Sequence, residues 1–249
     1  MLNFALNLEY LEAEFYLRSV RGEGLPENSI DGRGTPGAVS GGRQVPFETR
    51  AIRAYAQEIA ADELAHVQFL RSALGEAAVA RPTIDIDAAF TAAAMAAGLI
   101  GEGETFDAYA NEENFLLAAY VFEDVGVTAY KGASPLVDNK TFLEAAAGIL
   151  AAEAYHAGNI RTSLAAKGLE APSVRISDAR DSLDGDEDLD QGVLLDGNLN
   201  IVPTDANGIA FSRSPGQVLN IVYLTPEATE GGFFPDGVNG EFNASGSNT

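Results

Sequence analysis

Hydrophobic positions recur at steps of three and four along four long stretches, the period of a helix with one buried face. The stretches cover residues 2–20, 47–74, 112–131 and 141–166. Each is bounded by punctuation. Residues 21–46 are rich in glycine and contain Pro26, Pro36 and Pro46, which predicts a loop. Gly75 stops the second helix and Gly168 the fourth. Asn111 and Asn139 stand where a side-chain cap starts the third and fourth, and Ser134-Pro135 breaks the chain between them. Residues 76–110 are mixed, with a short alanine-rich helix predicted over 87–97. Beyond Pro172 the pattern changes: 178–190 is acidic and turn-rich. Ser214-Pro215 then starts a short helix over 215–223. From Thr225 onward Gly, Asn and Ser predict irregular backbone. The reading is all-α: a four-helix bundle over residues 1–170, with an extension over 171–249 lying on it. The extension has too few periodic elements for a core of its own.

The seams of the four helices contain polar interruptions. The second helix reads Ile52, Ala56, Ile59, Glu63, His66, Leu70, Ala73; the fourth reads Phe142, Ala146, Ile149, Glu153, His156, Ile160. The chain has only two histidines, and each stands three residues after a glutamate inside an apolar seam. Residues three apart share a helix face, about 5–6 Å between Cβ atoms, so both side chains reach one cation. A buried carboxylate without a partner is very costly, so the seams call for cations. The first helix supplies Leu2, Leu6, Glu9, Ala13, Tyr16 and Val20; the third supplies Leu116, Tyr120, Glu123, Val127 and Tyr130. Each carries one glutamate followed seven residues later by a tyrosine.

The order Glu, Glu-x-x-His, Glu, Glu-x-x-His reads as two related helix pairs. It matches the known ligand set of ferritin-like carboxylate bundles. The stretch between the second and third helices is long enough for the single long crossover of that fold. The candidate metal ligands are therefore Glu9, Glu63, His66, Glu123, Glu153 and His156. Four carboxylates and two imidazoles suit two divalent ions, iron or manganese. Glu12 lies near the same face and is the alternative to Glu9. Tyr16 and Tyr130 read as core tyrosines with a hydrogen bond or as redox partners. Asp62, beside Glu63, either orients a ligand histidine or is solvated. The run 181–190 lacks the spacing of a calcium-binding loop and reads as a solvated acidic loop.

Composition adds exclusions. An apolar content of 46% is ordinary for a globular core. The net charge of −22 argues against nucleic-acid or anionic-membrane partners and suits attraction of cations. With no cysteine, thiol catalysis, disulfides and Cys-based metal sites are ruled out. No apolar run approaches the roughly 20 residues of a spanning helix. No basic segment followed by an apolar stretch opens the chain. The compartment stays open between periplasmic or secreted, after removal of a leader, and cytoplasmic. Self-association is compatible with the sequence.

The ligand pattern resembles bacterioferritins and related di-iron proteins. Asp62-Glu63-Leu-Ala-His66 matches their Asp-Glu-x-x-His helix, and Glu9 with Tyr16 matches their first-helix spacing. The wider sequence resembles the ferritin-like, desiccation-related proteins of plants and bacteria. That resemblance lies in residues 2–16, in Phe122-Glu-Asp-Val-Gly126, in Ala151-Ala-Glu-Ala-Tyr-His156 with Ile160-Arg161, and in Gly231-Gly-Phe-Phe-Pro-Asp-Gly237. It implies a ferritin-like fold, a link to stress or drying, and frequent export. Three functions follow as expectations: a di-metal oxidoreductase acting on peroxide, dioxygen or ferrous iron; a protective protein with structural metals; and iron storage. Storage in a cage fits least well, because the segment after the fourth helix would interfere with cage assembly.

Overall fold

The computed structural model describes residues 1–246. Four long helices form the bundle: α1 (Leu2–Arg21), α2 (Arg50–Leu74), α4 (Glu112–Ala133) and α5 (Lys140–Ala166). They pair as two hairpins, α1 with α2 and α4 with α5. The short helix α3 (Ala88–Ala96) lies in the crossover between them. The expected caps are in place. Asn111 accepts from the Asn114 amide, and Asn139 accepts from the amides of Thr141 and Phe142. Glu112 and Glu113 add negative charge to the first turn of α4, where the helix dipole favours it. α2 starts three residues later than the pattern suggests. There Glu112 reaches across and accepts from the backbone amides of Glu48 and Thr49, while Lys167 pairs with it from the end of α5.

The loop and the crossover are tied together. Strands β1 (Val39–Ser40) and β2 (Ile84–Asp85) form a two-residue parallel ladder. Glu14, fully buried on α1, pairs with Arg18 and with Arg81 of the crossover. The core beneath is aromatic: Phe15 stacks on Phe115 and meets Phe90 and Phe122 at ring distances of 5.3–5.6 Å.

The extension is more ordered than the sequence suggests. Helix α6 (Glu170–Asp181) follows α5 almost directly, where no helix is expected, and its end overlaps the turn-rich run 178–190. Its buried face is Ser173, Ile176, Ser177 and Arg180, so the helical period is there but written largely in polar residues. Pro172 falls in the first turn, where its missing N–H costs no helical bond. Helix α7 (Pro215–Tyr223) starts as expected, with Ser214 and Gln217 forming a reciprocal capping box. A small antiparallel ladder, β3 (Leu194–Leu195) with β4 (Asn198–Leu199), lies between α6 and α7.

Two devices hold the extension on the bundle. The first is a buried chain of alternating charges. Asp124 of α4 binds Arg161 at 2.7 Å and Arg180 at 3.1 Å; Asp190 binds Arg180 at 2.7 Å and Arg213 at 2.8 Å; Asp184 completes it at 2.6 Å from Arg213. The 181–190 run is therefore only partly the solvated loop of the sequence reading, because Asp184 and Asp190 are buried in ion pairs. Gly132 lets this segment pass, since a Cβ there would meet the Arg213 carbonyl oxygen at 1.9 Å. The second device is Phe233, fully buried, whose ring sits 4.9 Å from Phe122 and 5.1 Å from Phe90. Among the described residues no helix is long and apolar enough to cross a membrane.

Candidate metal centre

The six residues singled out by the seams converge at mid-bundle, all but His66 fully buried. The Nδ1 atom of His66 lies 3.2 Å from Glu9 Oε2, 3.6 Å from Glu63 Oε2 and 3.5 Å from Glu153 Oε1. The Nδ1 atom of His156 lies 3.2 Å from Glu63 Oε1 and 3.6 Å from Glu123 Oε2. The imidazole rings are 6.3 Å apart. Two overlapping groups result, each able to hold a cation: Glu9, Glu63, His66 and Glu153, and Glu123, Glu153 and His156.

The tyrosines cross between the hairpins. Tyr16 of α1 donates to Glu123 of α4, and Tyr130 of α4 donates to Glu9 of α1. Residue numbers rise on one side as they fall on the other, as antiparallel neighbours require. The same inversion relates Glu63–His156 to His66–Glu153 across α2 and α5. The centre is thus nearly two-fold symmetric, built from two copies of one pattern. Two departures stand out. Asp62 accepts a hydrogen bond from His156 Nε2 at 3.1 Å, whereas the matching position before Glu153 is Ala152. Glu12, three residues after Glu9, is matched by Gly126 three after Glu123. Asp62 is thus hydrogen-bonded to a histidine of the group, while its carboxylate remains partly exposed. Glu9, not Glu12, stands beside His66; Glu12 is buried next to the group.

Electrostatics here is a contest between burial and countercharge. Burial, with repulsion from Glu63, pushes the Glu9 carboxyl up to about 7. Burial carries Glu123 to about 8 against the pull of His156. It raises Glu153 and Glu12 well above the usual carboxylate range, with Glu63 the leading like charge for both. Glu63 moves oppositely: burial disfavours its charge, but the two imidazoles beside it bring it down to about 2. Burial also opposes charge on His66 and His156, yet their carboxylate neighbours hold them at about 11 and about 9. Among the described residues no lysine or arginine pairs with these glutamates. Both oxygens of Glu63, both of Glu153, Glu123 Oε2 and His156 Nδ1 are buried without a hydrogen-bond partner. Buried polar atoms are rarely left so. Hard oxygen donors, two imidazole nitrogens and a deficit of positive charge fit divalent cations.

The two flanks of the centre differ. Between α2 and α5 a cleft of about 170 Å³ reaches His156, with Tyr55, Glu58, Asp62 and Tyr155 at its mouth. On the α1–α4 side, α7 and Phe233 of the extension cover the bundle. The buried arginine–aspartate chain beside Glu123 escaped the sequence reading. Its signal was Asp124 in Phe122-Glu-Asp-Val-Gly126 and Arg161 in Ile160-Arg161, both noted as motif residues without a role.

Known proteins resemble this chain over most of its length. The chain is 33% identical over 245 residues to the desiccation-related protein PCC13-62 of Craterostigma plantagineum, covering 88% of this chain and 75% of that protein. It is 28% identical over 267 aligned positions to the ferritin-like catalase Nec2 of Nesocodon mauritianus, covering 96% of this chain and 83% of that protein. No solved structure matches the chain. A family model, described as the ferritin-like domain, matches residues 1–166, which is the bundle with its crossover, and the chain belongs to that family.

Proposed function

We propose that the bundle holds two divalent ions, iron or manganese, and acts as an oxidoreductase toward peroxide, dioxygen or ferrous iron in stress protection. The observation that carries this is the convergence of Glu9, Glu63, His66, Glu123, Glu153 and His156 with six of their buried donor atoms unpartnered. When bound, the ions supply one-electron chemistry toward a small oxidant. The chain's own residues do the rest. Glu63 presents one oxygen to each imidazole, and Glu153 belongs to both donor groups, so these two would help hold the ions on either side. Tyr130 and Tyr16 fix the rotamers of Glu9 and Glu123. Asp62 sets the His156 ring so that Nδ1 faces inward. Residues of α7 and Phe233 cover the α1–α4 flank, and the α2–α5 cleft of about 170 Å³ gives a small oxidant a route to His156. The catalase in the name of one relative favours peroxide; the desiccation link of the other favours a role during drying.

The deciding experiment measures metal content and turnover together. Close to two iron or manganese ions per chain, with oxygen evolved from peroxide or ferrous iron oxidised, is the expected result. Metal-loaded protein that consumes neither peroxide nor dioxygen leaves the second reading, a protective protein whose metals only fix the bundle. That reading draws on the desiccation relative and on the net charge of −22.

A further inference from the structure

Glu12 is the carboxylate that the six-residue set leaves over. It sits three residues after Glu9 on the inward face of α1, only 6% exposed. Among the described residues no hydrogen-bond donor or cation meets it; its charged neighbours are Glu63, Glu123, Glu9 and Glu153. The internal repeat places a glycine at the matching position on α4. A Cβ at Gly126 would collide with Glu153 Oε2 at 2.7 Å and stand in ordinary contact with Glu12 Oε1 at 3.5 Å. Carboxylates from α1 and α5 thus flank the same point on α4, and the glycine leaves Glu153 room to reach it. The wall on the far side is apolar, made of Phe122, Ile221, Val222 and Phe233. Among the described residues no polar group on that side pairs with Glu12. A buried carboxylate kept among other carboxylates needs a cation to face.

We infer that Glu12 is a fifth carboxylate and seventh donor residue of the centre, sharing a divalent cation with Glu153 beside Gly126. The inference rests on the di-metal reading and breaks its symmetry, because only one hairpin offers the extra donor.

The test is anaerobic titration of the apo protein with Mn²⁺ and with Co²⁺, whose visible spectrum reports coordination. Wild type, Glu12→Gln and Glu12→Asp are compared, with apo melting temperature as the folding control. Wild type should take two ions. Glu12→Gln should still fold, at or above the wild-type melting temperature, because it removes a charge from an anionic cluster. It should bind one of its two ions about tenfold or more weakly, as loss of a supporting ligand typically does, with a changed Co²⁺ spectrum. Glu12→Asp keeps the charge but shortens the reach and should restore neither affinity nor spectrum. Wild-type affinities and spectrum in Glu12→Gln overturn the inference. A fully wild-type Glu12→Asp beside a weakened Glu12→Gln also overturns it, since charge alone would then suffice. Wild type that binds no ions fails the di-metal reading itself and is recognised separately.

Discussion

At the residue scale, the centre shows how a neighbour one bond removed from the chemistry can govern it. Asp62 touches no other carboxylate of the group, yet it fixes the ring of His156. Replacing Asp62 with Ala should weaken the ion held by His156 by about 10–100-fold, the usual range for such supporting partners. Helical content should stay unchanged, because the Asp62 side chain is half exposed and contributes little to the core. Metal titration followed by circular dichroism checks both halves of that statement. The carboxylates also predict a pH dependence for the apo protein. Glu9, Glu123, His66 and His156 all have raised affinity for protons in the fold. Between the unfolded values, near 4.5 for Glu and 6.5 for His, and the folded ones, the native state holds more protons than the unfolded chain. Stability therefore falls as pH rises through this window. The apo melting temperature should drop by several degrees from pH 5 to pH 9, and bound metal should flatten the slope because it replaces those protons. Below about pH 4, Glu63 acts in the opposite sense, since its lowered value makes protonation destabilising. A melting temperature that rises from pH 5 to 9 would contradict the account. The six converging residues were legible in the sequence because each interrupts an apolar seam. Glu12 was legible only as a rival to Glu9, since sequence spacing does not show that it lies beside Glu153.

At the element scale, legibility followed apolar periodicity. The four long helices and α7 announce themselves through seams and caps, and their observed limits lie within three residues of the expected ones. Helix α6 does not, because beside Ile176 its buried face is two serines and an arginine paired with Asp124 and Asp190. Polar residues with buried partners look, in a sequence, like a surface. The short ladders β1–β2 and β3–β4 are also silent, being two residues per strand. The aromatic anchor of the Gly231-Gly-Phe-Phe234 segment makes a firm prediction. Phe233→Ala removes a fully buried ring in contact with Phe90 and Phe122. It should cost about 3–5 kcal/mol, read as a lowered denaturant midpoint. Exposed Phe242 serves as the comparison, and its replacement by Ala should leave the midpoint nearly unmoved. A loss below about 1 kcal/mol at Phe233 would mean that the extension is not anchored there.

At the scale of the whole molecule, the question is whether the extension stands alone. Its arginines find their acids partly on the bundle, at Asp124, and its buried phenylalanine belongs to the bundle's aromatic cluster. Expressed as residues 172–249 without the bundle, it should show no cooperative unfolding transition, since it would expose those surfaces and strand buried charges. A sharp calorimetric transition in that fragment would refute this. The crossed tyrosines carry a last consequence. Because Tyr16 serves Glu123 and Tyr130 serves Glu9, neither hairpin can finish its own half of the centre. The repeat is not two tandem modules but one interlocked device. A substitution at either tyrosine is felt across the seam, and the halves can change only in concert.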